Sequence, residues 1–207
     1  MSEIHVEAVI FDFGGVLTQP AAIRAELAGY ERLLGLPAGA IVDAISQGEL
    51  WEAVSVGAIS EAEAWQRMVG PYIARLPPAF DRFRHGTLPF EPLVPEVVAI
   101  AGALRGQVRL GLLSNATLSL RPALERMNAL RDLFDDIVIS AEVGLRKPDR
   151  RIFELATRRL GVAPAGALLV DDKPRNTLAA QAFGMQAIVY QSPAALRADL
   201  ARYYLTT

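Results

Sequence analysis

The stretch VEAVIFDFGGVL, residues 6–17, contains the pattern that decides the fold. Its first half is mostly apolar, and its second half has an aspartate, Asp12, shortly before a glycine pair. A short apolar run that ends in this way is typical of a buried strand in a parallel sheet. Open α/β sheets bind ligands beyond the carboxyl ends of their strands. The stretch therefore predicts a first strand, Val6–Phe11, with a candidate functional carboxylate at its end.

Similar apolar runs alternate with segments of helical spacing along the rest of the chain. The predicted strands are Val6–Phe11, Val108–Leu113, Asp136–Ser140, Ala167–Val170 and Ala187–Tyr190. The predicted helices between the later strands are Pro95–Leu104, Leu120–Asn128, Arg150–Leu160 and Thr177–Phe183. This alternation predicts an α/β fold, a doubly wound parallel sheet that helices cover on both faces.

Residues 18–87 have a different pattern, without any strand-like run. Alanine, leucine and glutamate are common in Ala21–Leu34 and Ser60–Val69, and the sequence Ser-Glu-Ala-Glu from Ser60 resembles a capping box. Prolines at positions 71, 77 and 78 then interrupt the helical pattern. We expect a small α-helical cap domain, residues 18–87, inserted into a core made of residues 1–17 and 88–207.

The composition excludes several classes of protein. The 207 residues are 52% hydrophobic and carry a formal net charge of -2, so we expect a folded domain with no nucleic-acid partner. The absence of cysteine excludes disulfides, thiolate catalysis and cysteine-ligated metals. The longest uncharged stretch, Asn176–Leu196, contains Asn, Gln, Ser and Pro residues that are costly in hydrocarbon. Since the first residues also lack the basic region of a signal peptide, we expect a cytoplasmic protein with no membrane partner. The sequence leaves the oligomeric state open between a monomer and a homodimer.

Polar side chains suited to phosphate chemistry follow four of the predicted strands. In chain order they are Asp12, Ser114 with Asn115, Lys147, and the pair Asp171 and Asp172. A divalent cation held by Asp12 and the acidic pair would neutralise the charge of a phosphate ester. Lys147 and Ser114 would bind the remaining oxygens. Asp12 would then attack phosphorus, and water would hydrolyse the aspartyl-phosphate.

Taken singly, each of these residues has an ordinary structural explanation. Aspartate at a strand end is often a turn residue, a Ser-Asn pair often caps a helix, and a lysine is usually solvated. The adjacent acids Asp171 and Asp172 are less ordinary because they repel each other unless a cation compensates, which Lys173 or Arg175 could also do. The joint occurrence of these groups, in order and each after an apolar run, favours a functional site.

The same four segments resemble the signature motifs of the haloacid dehalogenase-like (HAD) hydrolase superfamily, over the whole chain. FDFGGVL is similar to the first motif with Asp12 as nucleophile, LLSN to the second, RKPD to the third and LVDD to the fourth. The resemblance implies a Rossmann-like core. The long interval between Asp12 and Ser114, and the short one between Ser114 and Lys147, imply a cap in the first of the two positions that the superfamily uses.

The resemblance also implies roles for the site residues. Magnesium would be held by the Asp12 carboxylate, the Gly14 carbonyl and Asp172, with Asp171 acting directly or through a water. Ser114 and Lys147 would hold the transferring phosphoryl group, and Asn115 is counted with them as a substrate-binding residue.

One position departs from the superfamily pattern. Most of its phosphatases carry a second aspartate two residues after the nucleophile as general acid and base, and this chain has Gly14 there. Such a group contributes about 10²–10⁴-fold to rate, so we expect slow turnover unless another group replaces it. Glu49 and Glu61 of the cap are candidates. His85, near the cap–core junction, could reach the cleft or act as a hinge or packing residue.

Three functions are compatible with these residues. The first is a magnesium-dependent phosphatase of small phosphometabolites, because phosphatases with a similar variant of the first motif act on small esters such as sugar phosphates. The cap segment GELWEAVSVGAISEAEAW, residues 48–65, is also similar to theirs. The second is an L-2-haloacid dehalogenase, a class that also lacks the second aspartate but generally lacks the acidic pair. The third is a weakly active protein that binds a phosphometabolite or a partner protein.

Overall fold

The computed structural model describes residues 5–19, 21–46, 48–81 and 92–207, without the side chains of residues 22, 45, 46 and 73. The strands are β1 (Ala8–Phe11), β2 (Arg109–Ser114), β3 (Asp136–Ile139), β4 (Ala167–Asp171) and β5 (Gln186–Val189). The helices of the first half are α1 (Ala21–Leu34), α2 (Ala40–Ser46), α3 (Gly48–Ser55) and α4 (Glu61–Val69). Those of the second half are α5 (Pro95–Leu104), α6 (Leu120–Arg126), α7 (Ser140–Val143), α8 (Arg150–Leu160), α9 (Pro174–Phe183) and α10 (Pro193–Ala201).

The five strands form one parallel sheet in the order β3-β2-β1-β4-β5. The chain builds outward from β1 to β3 and then returns to place β4 against the other side of β1. This order confirms the predicted doubly wound, Rossmann-like α/β fold. The switch point, where such sheets bind their ligands, lies between the carboxyl ends of β1 and β4.

Apolar side chains of β1 explain why it is the central strand. Val9 and Phe11 point into one apolar layer, and Ala8 and Ile10 point into the layer on the opposite face. All four are 0% exposed. Because successive strand residues face opposite sides, a strand that is apolar at every position is stable only between two covered faces.

The observed helices differ from the predicted ones at three places in the last third of the chain. The short helix α7 begins at Ser140, which was predicted to end the third strand. α9 begins at Pro174, three residues before the predicted start, because proline is well suited to the first turn of a helix. The sequence analysis predicted no helix at α10. Its start is marked by Ser192, whose side chain accepts a hydrogen bond from the Ala195 N–H, and by Pro193 in the first turn.

The helical segment packs around its own apolar cluster. Leu27, Ile41, Trp65, Val69 and Phe80 are buried members of this cluster. Ser60 caps α4 as predicted, since its side chain accepts a hydrogen bond from the Glu63 N–H. None of the helices in the described part of the chain is long and apolar enough to span a membrane.

Two short stretches run side by side where the chain passes between the sheet and the helical segment. Thr18 pairs with Leu93 in an antiparallel bridge, and the Leu17 carbonyl accepts a hydrogen bond from the Val94 N–H at 2.8 Å. The predicted cap begins within this ribbon, and its predicted last residue, Thr87, lies outside the described residues.

Candidate active site

Three carboxylates meet at the switch point of the sheet. Asp12 follows β1 directly, Asp171 is the last residue of β4, and Asp172 comes next. Each contributes one oxygen to a group whose members all lie within 4.8 Å of one another. Like charges at this separation repel strongly, so the arrangement needs cations to balance it.

Lys147 supplies one of these cations. Its Nζ lies 2.9 Å from Asp12 Oδ1 and 2.6 Å from Asp171 Oδ2, and it donates to the Leu113 carbonyl at 2.7 Å. The side chain is 1% exposed. Burial alone would lower the pKa of this ammonium, but the two carboxylates outweigh burial and hold its pKa above the ordinary value. Lys147 is therefore a fixed positive charge at the base of the site.

The Asp12 carboxylate is bonded through only one of its oxygens. Oδ1 accepts from the Phe13 N–H at 2.7 Å and contacts Lys147, whereas Oδ2 has no partner among the described residues. Burial raises the pKa of Asp12 to about 6, against the opposing effect of Lys147. The free oxygen is the one that a phosphorus atom or a metal ion could approach.

Asp171 is fully engaged by the protein. Its Oδ2 accepts from Lys147 and its Oδ1 from the Lys173 N–H at 2.9 Å, while Asn176 Nδ2 lies 2.9 and 3.0 Å from the two oxygens. The cation paired with Asp171 is thus Lys147, and Lys173 contributes through its backbone. The sequence analysis missed Asn176, whose signal was its place in the first turn of the helix after β4.

Asp172 has the opposite environment. Its Oδ1 is buried without any hydrogen-bond partner among the described residues. Burial is also the main cause that raises its pKa. An unpaired buried carboxylate oxygen is costly, and a cation bound beside it removes that cost. The donor set, carboxylate oxygens of Asp12 and Asp172 at the end of a parallel sheet, fits a hard divalent cation such as Mg²⁺.

The two glycines after Asp12 differ sharply in their surroundings. A Cβ on Gly15 would lie 2.6 Å from Asp172 Oδ2, and this residue has a left-handed φ of +84°. A Cβ on Gly14 would meet no atom within 4 Å in the described structure, and its φ is not left-handed. Gly15 is therefore required for the close approach of Asp172, whereas the space beside Gly14 is open.

Ser114 and Asn115 lie at the end of β2, as predicted, but they make different contacts. Ser114 is 3% exposed, and its hydroxyl makes no hydrogen bond within the described residues, so it is available to a ligand. The Asn115 side chain donates to the Lys147 carbonyl and accepts from the Lys147 N–H, both at 2.8 Å. Asn115 thus fixes the backbone that carries the ammonium, and this contact was not foreseen when it was grouped with the substrate-binding residues.

The helical segment contacts the core close to this site. The buried Ser140 hydroxyl donates to the Ser55 carbonyl, and Gly57 lies against the Ala141 carbonyl. Glu52 pairs with Arg146 at 2.9 Å, next to Lys147. These contacts hold α3 and the turn after it against the loop that carries the lysine.

The three candidates named outside the strand ends, Glu49, Glu61 and His85, differ in where the structure places them. Glu61 accepts a hydrogen bond from the Ser119 N–H of the core at 3.1 Å, and it lies at the junction. Glu49 is exposed at the start of α3. His85 lies outside the described residues.

The fold and the carboxylate–lysine cluster define a class of α/β protein with a Rossmann-like core and an acidic site at its switch point. A family model described as haloacid dehalogenase-like hydrolase matches residues 6–184. The chain therefore belongs to the haloacid dehalogenase-like hydrolases, as the motifs predicted.

Individual relatives agree with this assignment. A sesquiterpene phosphatase of Aspergillus oryzae is 31% identical over 182 residues, which cover 86% of this chain and 87% of that protein. A Porphyromonas gingivalis protein described as a HAD-like family hydrolase superimposes with a TM-score of 0.73 at 20% identity, covering 98% of this chain and 99% of that chain. A HAD family enzyme of Bacteroides thetaiotaomicron, in complex with magnesium and inorganic phosphate, gives a TM-score of 0.69 at 17% identity, covering 90% and 94%. At these identities the two structures support the fold.

Proposed function

We propose that this hydrolase is a magnesium-dependent phosphatase of small phosphate monoesters that acts through an aspartyl-phosphate on Asp12. The observation that carries the proposal is the buried, unpartnered Oδ1 of Asp172 beside the Asp12 carboxylate. The carboxylates of Asp12 and Asp172 carry more negative charge than the neighbouring lysine balances. A bound metal ion would balance the remainder and would also attract an anionic substrate. The phosphatase activity of the Aspergillus relative and the magnesium and phosphate bound by the Bacteroides enzyme support the same function.

The reaction begins at the free oxygen of Asp12. Oδ2 attacks phosphorus, the bond to the leaving alcohol breaks, and the alkoxide takes a proton from solvent because Gly14 offers none. Water then attacks the phosphorus of the aspartyl-phosphate and gives its proton to solvent. The bond to Asp12 breaks, and inorganic phosphate leaves with the carboxylate restored.

The remaining residues bind and orient the phosphoryl group. The Lys147 ammonium is fixed by Asp12 and Asp171, so it stabilises negative charge beside the nucleophile without reorganising. The Ser114 hydroxyl donates to a second phosphoryl oxygen. Asp171 and Asn115 act as positioning residues, since their contacts are made to Lys147.

Asp12, Asp172 and the Gly14 carbonyl would hold the magnesium ion. Bound there, Mg²⁺ neutralises the charge that otherwise separates a carboxylate nucleophile from an anionic ester. Asp171 contributes to the negative field but has both oxygens bonded already.

The test is phosphate release from a panel of phosphomonoesters, with magnesium or with a chelator, including an activated aryl phosphate. We expect release that requires magnesium and is fastest from the aryl ester, whose leaving group needs little protonation. Asp172→Asn should raise the half-saturating magnesium concentration roughly tenfold or more. Asp132→Asn, a change at an exposed site away from the cluster, should leave it unchanged.

Other outcomes identify the alternatives. Metal-independent halide release from a 2-haloacid, with no phosphate release, would make the protein a dehalogenase. Tight binding of a phosphometabolite without turnover of any ester, after long incubation with magnesium, would make it a binding protein.

A further inference from the structure

A small cavity lies between the helical segment and the core. Its walls include Trp51, Val54, Glu61, Trp65, Met68 and Thr117. It is partly open and offers about 20 Å³, room for roughly one water-sized group. Thr117 follows Ser114 by three residues, so their Cα atoms lie within about 11 Å of each other. The end of β2 and the segment that follows it therefore carry both the candidate phosphoryl-binding hydroxyl and part of the cavity wall.

Glu61 is the acidic group in this otherwise largely apolar wall. Its Oε1 accepts from the Ser119 N–H at 3.1 Å, which anchors the side chain to the core. Its Oε2 is buried without a hydrogen-bond partner among the described residues. Because the anchor fixes the carboxylate, Oε2 cannot turn to solvent without breaking that contact. An unpaired buried acceptor is costly, so a hydrogen-bond donor on a bound molecule would be stabilised beside Oε2.

We propose that this cavity receives the far end of the leaving group and that Glu61 Oε2 accepts a hydrogen bond from a hydroxyl or amino group there. The inference rests on the proposed phosphatase function. It defines the substrate class as phosphate monoesters of compact alcohols that are apolar along their length and end in a donor. An apolar end would leave Oε2 unpaired, and an acidic end would be repelled by the carboxylate.

The experiment compares kcat/KM for unbranched alkyl phosphates of three to seven carbons that end in methyl, hydroxyl, amino or carboxylate groups. At the matching length, we expect the hydroxyl or amino ester to exceed the methyl ester by about tenfold, with the carboxylate ester poorest. The two donor arms separate a neutral from a cationic end group. Glu61→Gln replaces the acceptor with a donor but keeps the oxygen for Ser119. The preference for the amino ester should therefore disappear, because an ammonium can only donate. A hydroxyl can reverse its hydrogen bond, so the advantage of the hydroxyl ester should shrink because the bond no longer involves a charged group.

Two controls make the result specific. Glu63→Gln, on the same turn of α4 but exposed and paired with Arg67, should keep the full preference. An aryl phosphate, which has no terminal donor, serves as the reference substrate, and its kcat/KM in each variant normalises the values for the alkyl esters. An equal loss on every alkyl ester, the methyl ester included, would assign Glu61 to leaving-group protonation and overturn the binding role.

The remaining outcomes distinguish failure of the Glu61 subsite from failure of the proposed phosphatase function. Hydrolysis of the aryl phosphate with no preference among end groups would refute the Glu61 subsite alone, and so would a preference that Glu61→Gln leaves unchanged. If the wild-type protein with magnesium hydrolyses no ester at all, the phosphatase function fails and the subsite fails with it.

Discussion

The core and the helical segment contribute to the candidate site in different ways. On the core side, Lys147 links two carboxylates, since it contacts Asp12, Asp171 and the Leu113 carbonyl. On the side of the helical segment, the wall of the cavity is mostly apolar, and its carboxylate, Glu61, contacts no cation in the described part of the chain. The core side fixes the chemistry because its groups cannot move independently. A substitution of Glu61 touches none of the Lys147 contacts, so under the proposed function it would change selectivity and leave that network in place.

Asp12→Asn gives the largest expected effect and tests the core side directly. An amide is a poor nucleophile, so phosphate release from every ester should fall by roughly 10⁴-fold or more. The measurement is magnesium-dependent phosphate release, with circular dichroism to show that the variant is folded. Undiminished turnover would remove Asp12 from the chemistry.

Lys147→Met removes the ammonium that contacts both Asp12 and Asp171. It leaves Asp171, which is 0% exposed, without its cationic partner, and removing one member of a buried pair costs about 3–5 kcal/mol of unfolding free energy. Urea denaturation measures this loss.

The double variant Lys147→Met with Asp171→Asn is the control for that change. Since the two residues contact each other, it should be more stable than the sum of the single effects. Additive losses would show that the 2.6 Å pair contributes nothing specific.

The strand ends were the predictable part of the site. An aspartate, a serine or an acidic pair that follows an apolar run is recognisable in the sequence. Because parallel strands bring their carboxyl ends to one edge of the sheet, such residues are expected to lie close together. What the sequence could not show is which oxygens are already bonded. Asp171 and Asp172 are adjacent and identical in the sequence. In the structure, Lys147 and Asn176 bond Asp171, whereas Asp172 Oδ1 has no partner among the described residues. The difference arises because successive residues of β4 and its continuation point in different directions.

The placement of the helical segment was less predictable for a physical reason. Its helices follow from composition and from the Ser60 cap, but their placement depends on long-range contacts. Ser140 donates to Ser55, which is 85 positions away, and Glu61 accepts from Ser119, 58 positions away. Neither pair carries a local pattern, and a serine or a glutamate in a helix is ordinarily a surface residue.

Gly15→Ala distorts the metal side of the core site. The new Cβ would lie 2.6 Å from Asp172 Oδ2, and alanine is disfavoured at a φ of +84° by about 1–2 kcal/mol. Displacing Asp172 should raise the half-saturating magnesium concentration by roughly tenfold or more. Magnesium titration of phosphate release measures it, and an unchanged titration would show that Asp172 does not hold the metal.

Gly14→Asp should give the smallest change and the only gain. A Cβ there meets no atom within 4 Å of the described structure, so the core side has room for the acid that it lacks. A carboxyl in that space can protonate the leaving alcohol, and we expect kcat for unactivated alkyl phosphates to rise about tenfold, below the 10²–10⁴ of an evolved group. The aryl phosphate, which needs little protonation, should gain least, and Gly14→Ala should gain nothing on either ester. A gain shared equally by the alanine variant or by the aryl ester would mean that the side chain acts by filling space. A gain confined to the alkyl esters would show that the glycine, and not the cap, limits the rate.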